Sequence, residues 1–465
     1  MSRHARALPR SIREILVGHT PRSSDTVCRK MCSLYTRFVA ADDIPGWQAI
    51  KRGDTPLTWD LWSSQVERSN TLTEAGKHAV RKAVDAIAEY LGDGWLDKFL
   101  PRGSSPSPNA GLPLMSLQWW PSNDVPHVFA RILELGLRLS LFKGKPGLGD
   151  VRKIMQNDLG QFAHSLLQFE VGALALRAGW DVVFEPKVTA HGDRRTDLHL
   201  SRNGDSMLVE AKGFLLDKTT TEDLQFSDRI KMEIQAIEMK EGVTFDGSIE
   251  PSIDEVALAD CLGKLKALAV DAARTGLRLE ITTPSGQRLA VLPGWPSAEG
   301  TLSITIRHGD EWQRIVTAIK DKSNQGRGGD PLWLRFDETS LFWALFLPPD
   351  WPRHYIHEQL ARDLAATLMP FDHVAGLVLS RQPAVGSSGG TDNTYHPLDG
   401  NATGLTRTTQ APFWRESLIV PGLHPSAQRH LAEWSRWYGD EAGWLPWALD
   451  QHRQPPLAEL FRTPR

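Results

Sequence analysis

Apolar side chains recur every three or four positions in the first hundred residues, which is the spacing of one face of an α-helix. The residues that carry this spacing are Val80, Val84, Ile87 and Leu91. Thr71-Leu72-Thr73-Glu74 precedes them with the form of a capping box, and Gly92 follows as a natural helix stop. Residues 39–100 are therefore expected to be helical, and a second helical stretch is expected over 125–141.

Helical and strand-like patterns alternate between residues 150 and 385. A long helix is predicted over 150–178 with a stop at Gly179, and a short strand is predicted over 181–185. The further predictions are strands at 195–201, 206–212, 332–336 and 374–380, helices at 227–241, 312–325 and 356–368, and three β-like runs within 277–306. This order predicts the α/β class, with a mixed sheet flanked by helices.

The composition divides the chain into three regions. Residues 1–115 are expected to form a mainly helical N-terminal region, which carries a basic tail and the Pro/Ser-rich linker at 101–108. Residues 116–385 are expected to form the α/β domain, with a small β insertion near 242–308. Residues 386–465 form a Trp-rich C-terminal segment, whose aromatic side chains favour a packing surface over a ligand pocket.

Charge and cysteine content narrow the function classes. The 465 residues carry 53 Lys and Arg against 56 Asp and Glu, a net charge of -3. This net charge argues against a protein that coats nucleic acid through an overall positive charge. It is compatible with a local basic cleft. Only three cysteines are present, Cys28, Cys32 and Cys261, too few for a disulfide framework. The longest apolar run, Leu341–Leu347, is too short to cross a bilayer, so a cytoplasmic location without membrane contact is expected.

Charged residues interrupt two neighbouring strands that should lie near the core. Asn203-Gly204 predicts a tight hairpin turn between the strands. Such a hairpin would bring Asp197 close to Glu210, with Lys212 one pleat further along the same face. Two carboxylates that share a site repel each other unless a cation joins them, and hard divalent cations prefer oxygen ligands. A lysine beside the metal could orient a water or stabilise developing phosphate charge.

A third carboxylate lies on the long helix. The residues three and four positions from Glu170 on either side are all apolar: Leu166, Leu167, Ala173 and Leu174. Glu170 is therefore expected to be buried, where an unpaired carboxylate is costly. A metal site at the sheet edge would supply its partner, so we expect Glu170 to point toward Asp197 and Glu210.

This ordered set resembles the PD-(D/E)XK nuclease superfamily. The matching residues are Glu170 on a helix, Thr196-Asp197-Leu198 at a strand start, and Glu210-Ala211-Lys212 on the next strand. Thr196 stands where the family pattern has proline. The resemblance covers about 150–385 and implies a restriction-endonuclease-like αβββαβ core. It further implies that Asp197, Glu210 and the carbonyl of Ala211 bind Mg²⁺ or Mn²⁺, and that Glu170 and Lys212 are catalytic.

Several further residues are candidates for auxiliary roles. Lys322 and Gln325 lie three apart near a helix end, which resembles a Lys-X-X-Gln helix of some bacterial branches, although a solvated helix end explains the pair equally well. Arg194 and Arg195 could meet phosphates, or they could be scattered surface charge. His164 and His199 are interpreted as structural, with His199 kept as a weak auxiliary because it shares a strand face with Asp197.

The expected function is that of a metal-dependent nuclease that hydrolyses phosphodiester bonds, with DNA as the expected substrate. The resemblance implies a role in bacterial defence, restriction or repair, and the N-terminal helices and the Trp-rich segment are expected to contact the target or a protein partner. Two alternatives stay open. One is a catalytically inactive nuclease fold that serves as a nucleic-acid-binding or scaffold module, and the other is a coincidental match in an unrelated α/β protein. Convergence of Asp197 and Glu210 with Glu170 and Lys212 around one open pocket would favour the nuclease over these alternatives.

Overall fold

The computed structural model describes residues 58–99, 126–187, 195–214, 233–249, 255–282, 288–294, 302–304, 311–324, 330–337, 353–380, 394–397, 404–408, 415–440 and 443–462, together with residues 56, 226, 230 and 286. Several features of the sequence lie outside these residues: the basic tail, Cys28, Cys32, the 101–108 linker, the Leu341–Leu347 run and Trp414. The chain divides into two compact units. One comprises Ala5–Leu215 and Asp310–Arg465, and the other Leu216–Gly309.

Helices of the first unit begin close to the predicted positions. Its helices are α1 (Trp59–Arg68), α2 (Glu74–Leu91), α3 (Trp95–Phe99), α4 (Pro126–Phe142), α5 (Leu148–Asn157) and α6 (Leu159–Arg177). Thr73 caps α2 by accepting a hydrogen bond from the Gly76 N–H, so the helix begins two residues later than a cap at Thr71 would give. The single helix expected over 150–178 is two helices, because the backbone is extended at Asp158.

Eight strands of the first unit form one mixed sheet. They are β1 (Asp181–Phe184), β2 (Leu198–Arg202), β3 (Asp205–Gly213), β8 (Leu332–Asp337), β9 (Val374–Ser380), β10 (Thr394–Pro397), β11 (Gly404–Thr408) and β12 (Arg415–Pro421), in the order β1-β2-β3-β8-β9-β12-β11-β10. β3 and β9 run parallel to β8, and the other pairs are antiparallel. Positive φ angles at Asn203 (51°) and Gly204 (79°) confirm the tight hairpin between β2 and β3.

Helices cover both faces of this sheet. The remaining helices of the unit are α8 (Glu311–Ser323), α9 (Arg353–Leu368), α10 (Ala427–Gly439), α11 (Trp444–Gln451) and α12 (Leu457–Leu460). We call the face that packs on α2, α4, α6 and α10 the first face, and the face that packs on α8 and α9 the second face. Side chains alternate along β8, so Trp333 belongs to the core of the first face, whereas Leu334 and Phe336 belong to that of the second.

The C-terminal tryptophans are packing residues, as the composition favoured. Trp434, Trp437 and Trp444 are buried in the core of the first face. The rings of Trp333 and Trp434 lie 5.3 Å apart. These three indoles fill the unit's own core. The described parts of 1–115 and 386–465 belong to the same unit as α6 and strands β1–β3. The C-terminal elements belong there because β12 pairs with β9 in the sheet and α10 packs on its first face.

The second unit is a small α/β insertion. Its strands are β4 (Val243–Ile249), β5 (Leu279–Thr282), β6 (Arg288–Pro293) and β7 (Leu302–Ile304), in the order β5-β6-β4-β7. The β-like runs predicted over 277–306 are thus strands. α7 (Glu255–Thr275) packs on this sheet through Leu265 and Ala269 and was not predicted. Among the helices of the described residues, none has the length and apolar character needed to cross a bilayer.

Candidate functional site

The hairpin brings two carboxylates together at one end of the sheet. Leu198 pairs with Val209 in the β2–β3 ladder, and the same register continued by one residue sets Asp197 opposite Glu210. Lys322 Nζ lies 3.7 Å from Asp197 Oδ2 and 2.6 Å from Glu210 Oε2, so the two carboxylates lie close together. Both side chains are buried, with 9% of Asp197 and 1% of Glu210 exposed. The predicted approach of Asp197 to Glu210 is therefore present in the structure.

Four groups surround the Asp197 carboxylate. The Ala211 N–H donates a hydrogen bond to Oδ2 across 2.6 Å, and Lys322 Nζ lies 3.7 Å from the same oxygen. Oδ1 contacts His164 Nε2 at 2.9 Å and accepts a hydrogen bond from Gln168 Nε2 at 3.0 Å. Burial by itself would raise the pKa of Asp197, but the charges of His164 and Lys322 and these hydrogen bonds outweigh it and hold that pKa well below its usual range.

Glu210 has the opposite electrostatic balance. Burial and the negative charge of Asp197 raise the pKa of Glu210 well above its ordinary value, despite the nearby Lys322. One member of the pair is thus held ionised while the other resists ionisation. Two neighbouring carboxylates with separated pKa values are typical of a site that binds a cation or handles a proton.

Lys322 supplies the positive charge at this pair. Its Nζ donates a hydrogen bond to Glu210 Oε2 across 2.6 Å, from the last turn of α8. Only 17% of the side chain is exposed. Burial alone would lower the pKa of Lys322, but the charges of Asp197 and Glu210 raise it. The structure therefore places Lys322, which the sequence marked only as an auxiliary candidate, in direct contact with the carboxylates.

Lys212 lies beside the pair without joining it. The side chain is half-buried on the second face, two residues after Glu210 on β3. Burial, followed by the positive charges of Lys322 and Arg314, lowers the pKa of Lys212, and the charge of Asp197 partly opposes this. The Lys212 ammonium is thus close enough to feel the charges of Asp197 and Lys322.

Glu170 is buried as predicted, but its expected direction is wrong. Arg335 Nη2 donates a hydrogen bond to Glu170 Oε1 across 2.8 Å, and the Tyr438 hydroxyl donates to the same oxygen across 2.7 Å. The pleat of the sheet separates Glu170 from Glu210. α6 packs on the first face, to which Arg335 also projects, whereas Glu210 projects with Leu208 to the second face.

Two other side chains of α6 reach Asp197 instead. His164 and Gln168 are four residues apart and so share a helix face. Gln168 Nε2 also donates to Glu185 Oε1 across 3.0 Å, and its own Oε1 is buried without a hydrogen-bond partner. Burial and the charge of Asp197 raise the pKa of Glu185, whose backbone has a positive φ of 48°. The sequence reasoning missed Gln168 and Glu185; a polar pair spaced by four on an otherwise apolar helix was the available signal.

The remaining auxiliary candidates lie elsewhere or outside the described residues. His199 Nε2 contacts Asp330 Oδ2 at 2.9 Å. Arg195 pairs with Asp150 on α5 and does not join the carboxylate pair. Arg194 and Gln325 lie outside the described residues. Of the auxiliary set, Lys322 alone is seen at the site in the part of the chain that the structure describes.

The donor set can be tested against a divalent metal. No group of three His, Cys, Asp or Glu side chains among the described residues is arranged to hold a metal ion. The two buried carboxylates of Asp197 and Glu210 are nevertheless oxygen ligands of the kind that Mg²⁺ prefers, with water completing its shell. The buried pair already attracts a cation, and the Lys322 ammonium occupies that role at 2.6 Å from Glu210. The residues present therefore fit a metal held by few protein ligands.

Comparison with protein-family models gives no match, and comparisons with curated proteins and with solved structures give none either. The geometry of the site is therefore the basis for any statement about function.

Proposed function

We propose that this chain is a metal-dependent phosphodiesterase of the PD-(D/E)XK type, with nucleic acid, and DNA in particular, as its substrate. The observation that supports the proposal best is the buried pair of Asp197 and Glu210 at the hairpin end. The order α6-β1-β2-β3, followed after the β4–β7 insertion by α8 and β8, with β3 parallel to β8, is compatible with the αβββαβ core which the resemblance implies, and this order supports the proposal.

Each residue would have a distinct task. Asp197 and Glu210 would hold Mg²⁺ or Mn²⁺, together with the Ala211 carbonyl, and the bound metal would supply an activated water. Asp197 is kept ionised by its hydrogen bonds, so it is ready to bind a cation. Lys212 would stabilise negative charge on the phosphate, because its half-buried ammonium lies beside the pair. His164 and Gln168 would orient Asp197 from the opposite side.

One observation favours the non-catalytic alternative. Lys322 neutralises Glu210 from inside the site, and a permanent ion pair there would leave a nuclease-like fold without a metal. Such a protein would bind nucleic acid or a partner without cutting. The charges at the site are therefore compatible with both functions. The affinity of the Asp197–Glu210 pair for a divalent metal distinguishes them.

Purified protein incubated with supercoiled plasmid, linear duplex and single-stranded DNA tests the proposal. Each substrate is compared in Mg²⁺, in Mn²⁺ and in EDTA. Cleavage of at least one substrate that requires metal supports the phosphodiesterase. Binding of these substrates without cleavage in either metal would support the non-catalytic module instead.

A further inference from the structure

A lysine from a different element fills the cation position of the carboxylate pair. Lys322 Nζ lies 2.6 Å from Glu210 Oε2 and 3.7 Å from Asp197 Oδ2, so a single ammonium group bridges both acids. Lys212, the lysine that the resemblance assigns to catalysis, makes no such pair among the described residues. The molecule thus has two lysines at the site with different relations to the carboxylates.

We propose that Lys322 is an exchangeable counter-ion, which occupies the Asp197–Glu210 pair in the metal-free protein and leaves it when a divalent cation binds. The inference rests on the proposed function, because it assumes that this pair is the metal site. The ammonium keeps its proton throughout and moves as an intact cation. Lys322 is therefore a positioning residue that sets the affinity of the site for metal.

Charge and burial support the exchange. With 1% of Glu210 exposed, the carboxylate pair is shielded from water, and ionisation of both acids is costly there unless a cation lies beside them. A divalent ion and an ammonium group within a few ångströms of the same two carboxylates repel each other strongly at low dielectric. Both cannot occupy the pair, so metal binding must break the contact between Lys322 and Glu210. The exposed fraction of Lys322, 17%, gives the ammonium a route toward solvent.

Removal of the lysine should have two linked effects on the protein. Without the Lys322 ammonium, the buried Asp197–Glu210 pair loses the cation that lies beside both acids, which destabilises the metal-free protein. The same two carboxylates bind metal more tightly, because no ion pair has to be broken first. Loss of stability without metal and gain of metal affinity are therefore expected together, which a purely structural lysine would not produce.

Calorimetric titration of the full chain with MnCl₂ tests the proposal. The variants are Lys322→Met, Lys322→Gln and the charge-retaining Lys322→Arg, and Lys320→Met is the matched control because Lys320 is exposed two residues earlier on α8. We expect Lys322→Met and Lys322→Gln to bind Mn²⁺ at least about tenfold more tightly than the wild type, since a competing charge at contact distance is removed. Lys322→Arg and Lys320→Met should bind Mn²⁺ no more tightly than the wild type.

Thermal unfolding followed by circular dichroism gives the second measurement. Lys322→Met should unfold at a lower temperature than the wild type in EDTA and approach it at saturating Mn²⁺. If one uncharged variant fails to fold without metal, refolding on addition of Mn²⁺ supports the proposal equally. Unchanged or weaker Mn²⁺ binding by both uncharged variants would overturn it, as would absence of binding in every form.

Failure of the proposed function has a separate signature. Wild-type protein that binds Mn²⁺ through Asp197 but cuts none of the DNA substrates would overturn the phosphodiesterase and leave the exchange intact. Cleavage by the wild type, combined with equal Mn²⁺ affinity in the wild type and both uncharged variants, would overturn the exchange alone.

Discussion

Glu170 and Arg335 form an ion pair within the core of the sheet's first face, with Nη2 and Oε1 2.8 Å apart and both side chains buried. The Tyr438 hydroxyl from α10 completes the contact by donating to the same carboxylate oxygen. Three distant parts of the chain thereby meet around one buried charge. This arrangement gives the helix acid a structural task and removes it from the proposed metal site.

Loss of either partner should therefore destabilise the fold. We expect Glu170→Gln to lower the free energy of unfolding by about 3–5 kcal/mol, because Arg335 would remain as an uncompensated buried charge. Denaturant unfolding measures this change. The double variant Glu170→Leu with Arg335→Met should recover much of the loss. A single variant as stable as the wild type would contradict the structural role.

Metal affinity should depend on Gln168 and not on Glu170. Replacement of Gln168 by Leu removes the hydrogen bond to Asp197 Oδ1, and loss of such an outer contact typically weakens metal binding by about 10–100-fold. Calorimetric titration of Gln168→Leu with Mn²⁺ checks this. Folded Glu170→Gln on the same helix is the matched control and should bind Mn²⁺ like the wild type. Weaker Mn²⁺ binding by Glu170→Gln than by Gln168→Leu would show that Glu170 belongs to the metal site.

The hairpin shows how much of the site the sequence could predict. Asn203-Gly204 predicted correctly the hairpin that brings Asp197 close to Glu210. The pattern around Glu170 predicted its burial correctly as well. It could not predict the partner, because an apolar helix stripe does not reveal which face of a sheet the helix will cover. That depends on the packing of α6 and on Arg335, which is 165 positions away in the chain.

Other parts of the fold could not be predicted from local sequence patterns because they depend on contacts between distant residues. β12 pairs with β9 through Leu418 and Leu379, and α10 covers the first face with Trp434. A tryptophan count predicts packing but does not tell which core is filled. Similarly, Lys322 reaches Glu210, 112 positions away in the chain, because α8 packs on the second face of the sheet.

The pH dependence of the free energy of unfolding should reveal the raised pKa of Glu210. Burial and the charge of Asp197 raise the pKa of Glu210, so the folded state holds this proton more tightly than the unfolded state does. Stability associated with Glu210 is therefore lost as the pH rises from its ordinary value of about 4.3 through the raised folded pKa.

Unfolding of the wild type and of Glu210→Gln across this range isolates that contribution. The stability of the wild type relative to the variant should decrease with rising pH and level off above the folded pKa. Histidines titrate in both proteins, so their contribution cancels in the difference. A stability difference that increased with pH, or did not change, would show that the pKa of Glu210 is not raised in the folded protein.

Lys212 should act on the rate more than on binding. Its half-buried ammonium lies beside the carboxylate pair, where it can stabilise charge that develops on a phosphate. We expect Lys212→Ala to reduce cleavage by about 10²-fold or more. Cleavage assays and DNA binding in EDTA separate the two effects. An equal decrease in rate and in binding would make Lys212 a phosphate anchor only.

Asp197 is the residue on which the proposed chemistry depends most, and Asp197→Asn is the most direct test because it keeps the shape of the side chain. The measurement is plasmid cleavage in Mg²⁺, Mn²⁺ and EDTA by the wild type and the variant, each shown to be folded by circular dichroism at the assay temperature. We predict metal-dependent cleavage by the wild type and a loss of at least about 10²-fold in the variant, because a ligand of the activating metal is removed. Cleavage that persists in EDTA, or an Asp197→Asn variant that cuts at the wild-type rate, would contradict a metal-dependent phosphodiesterase at this site.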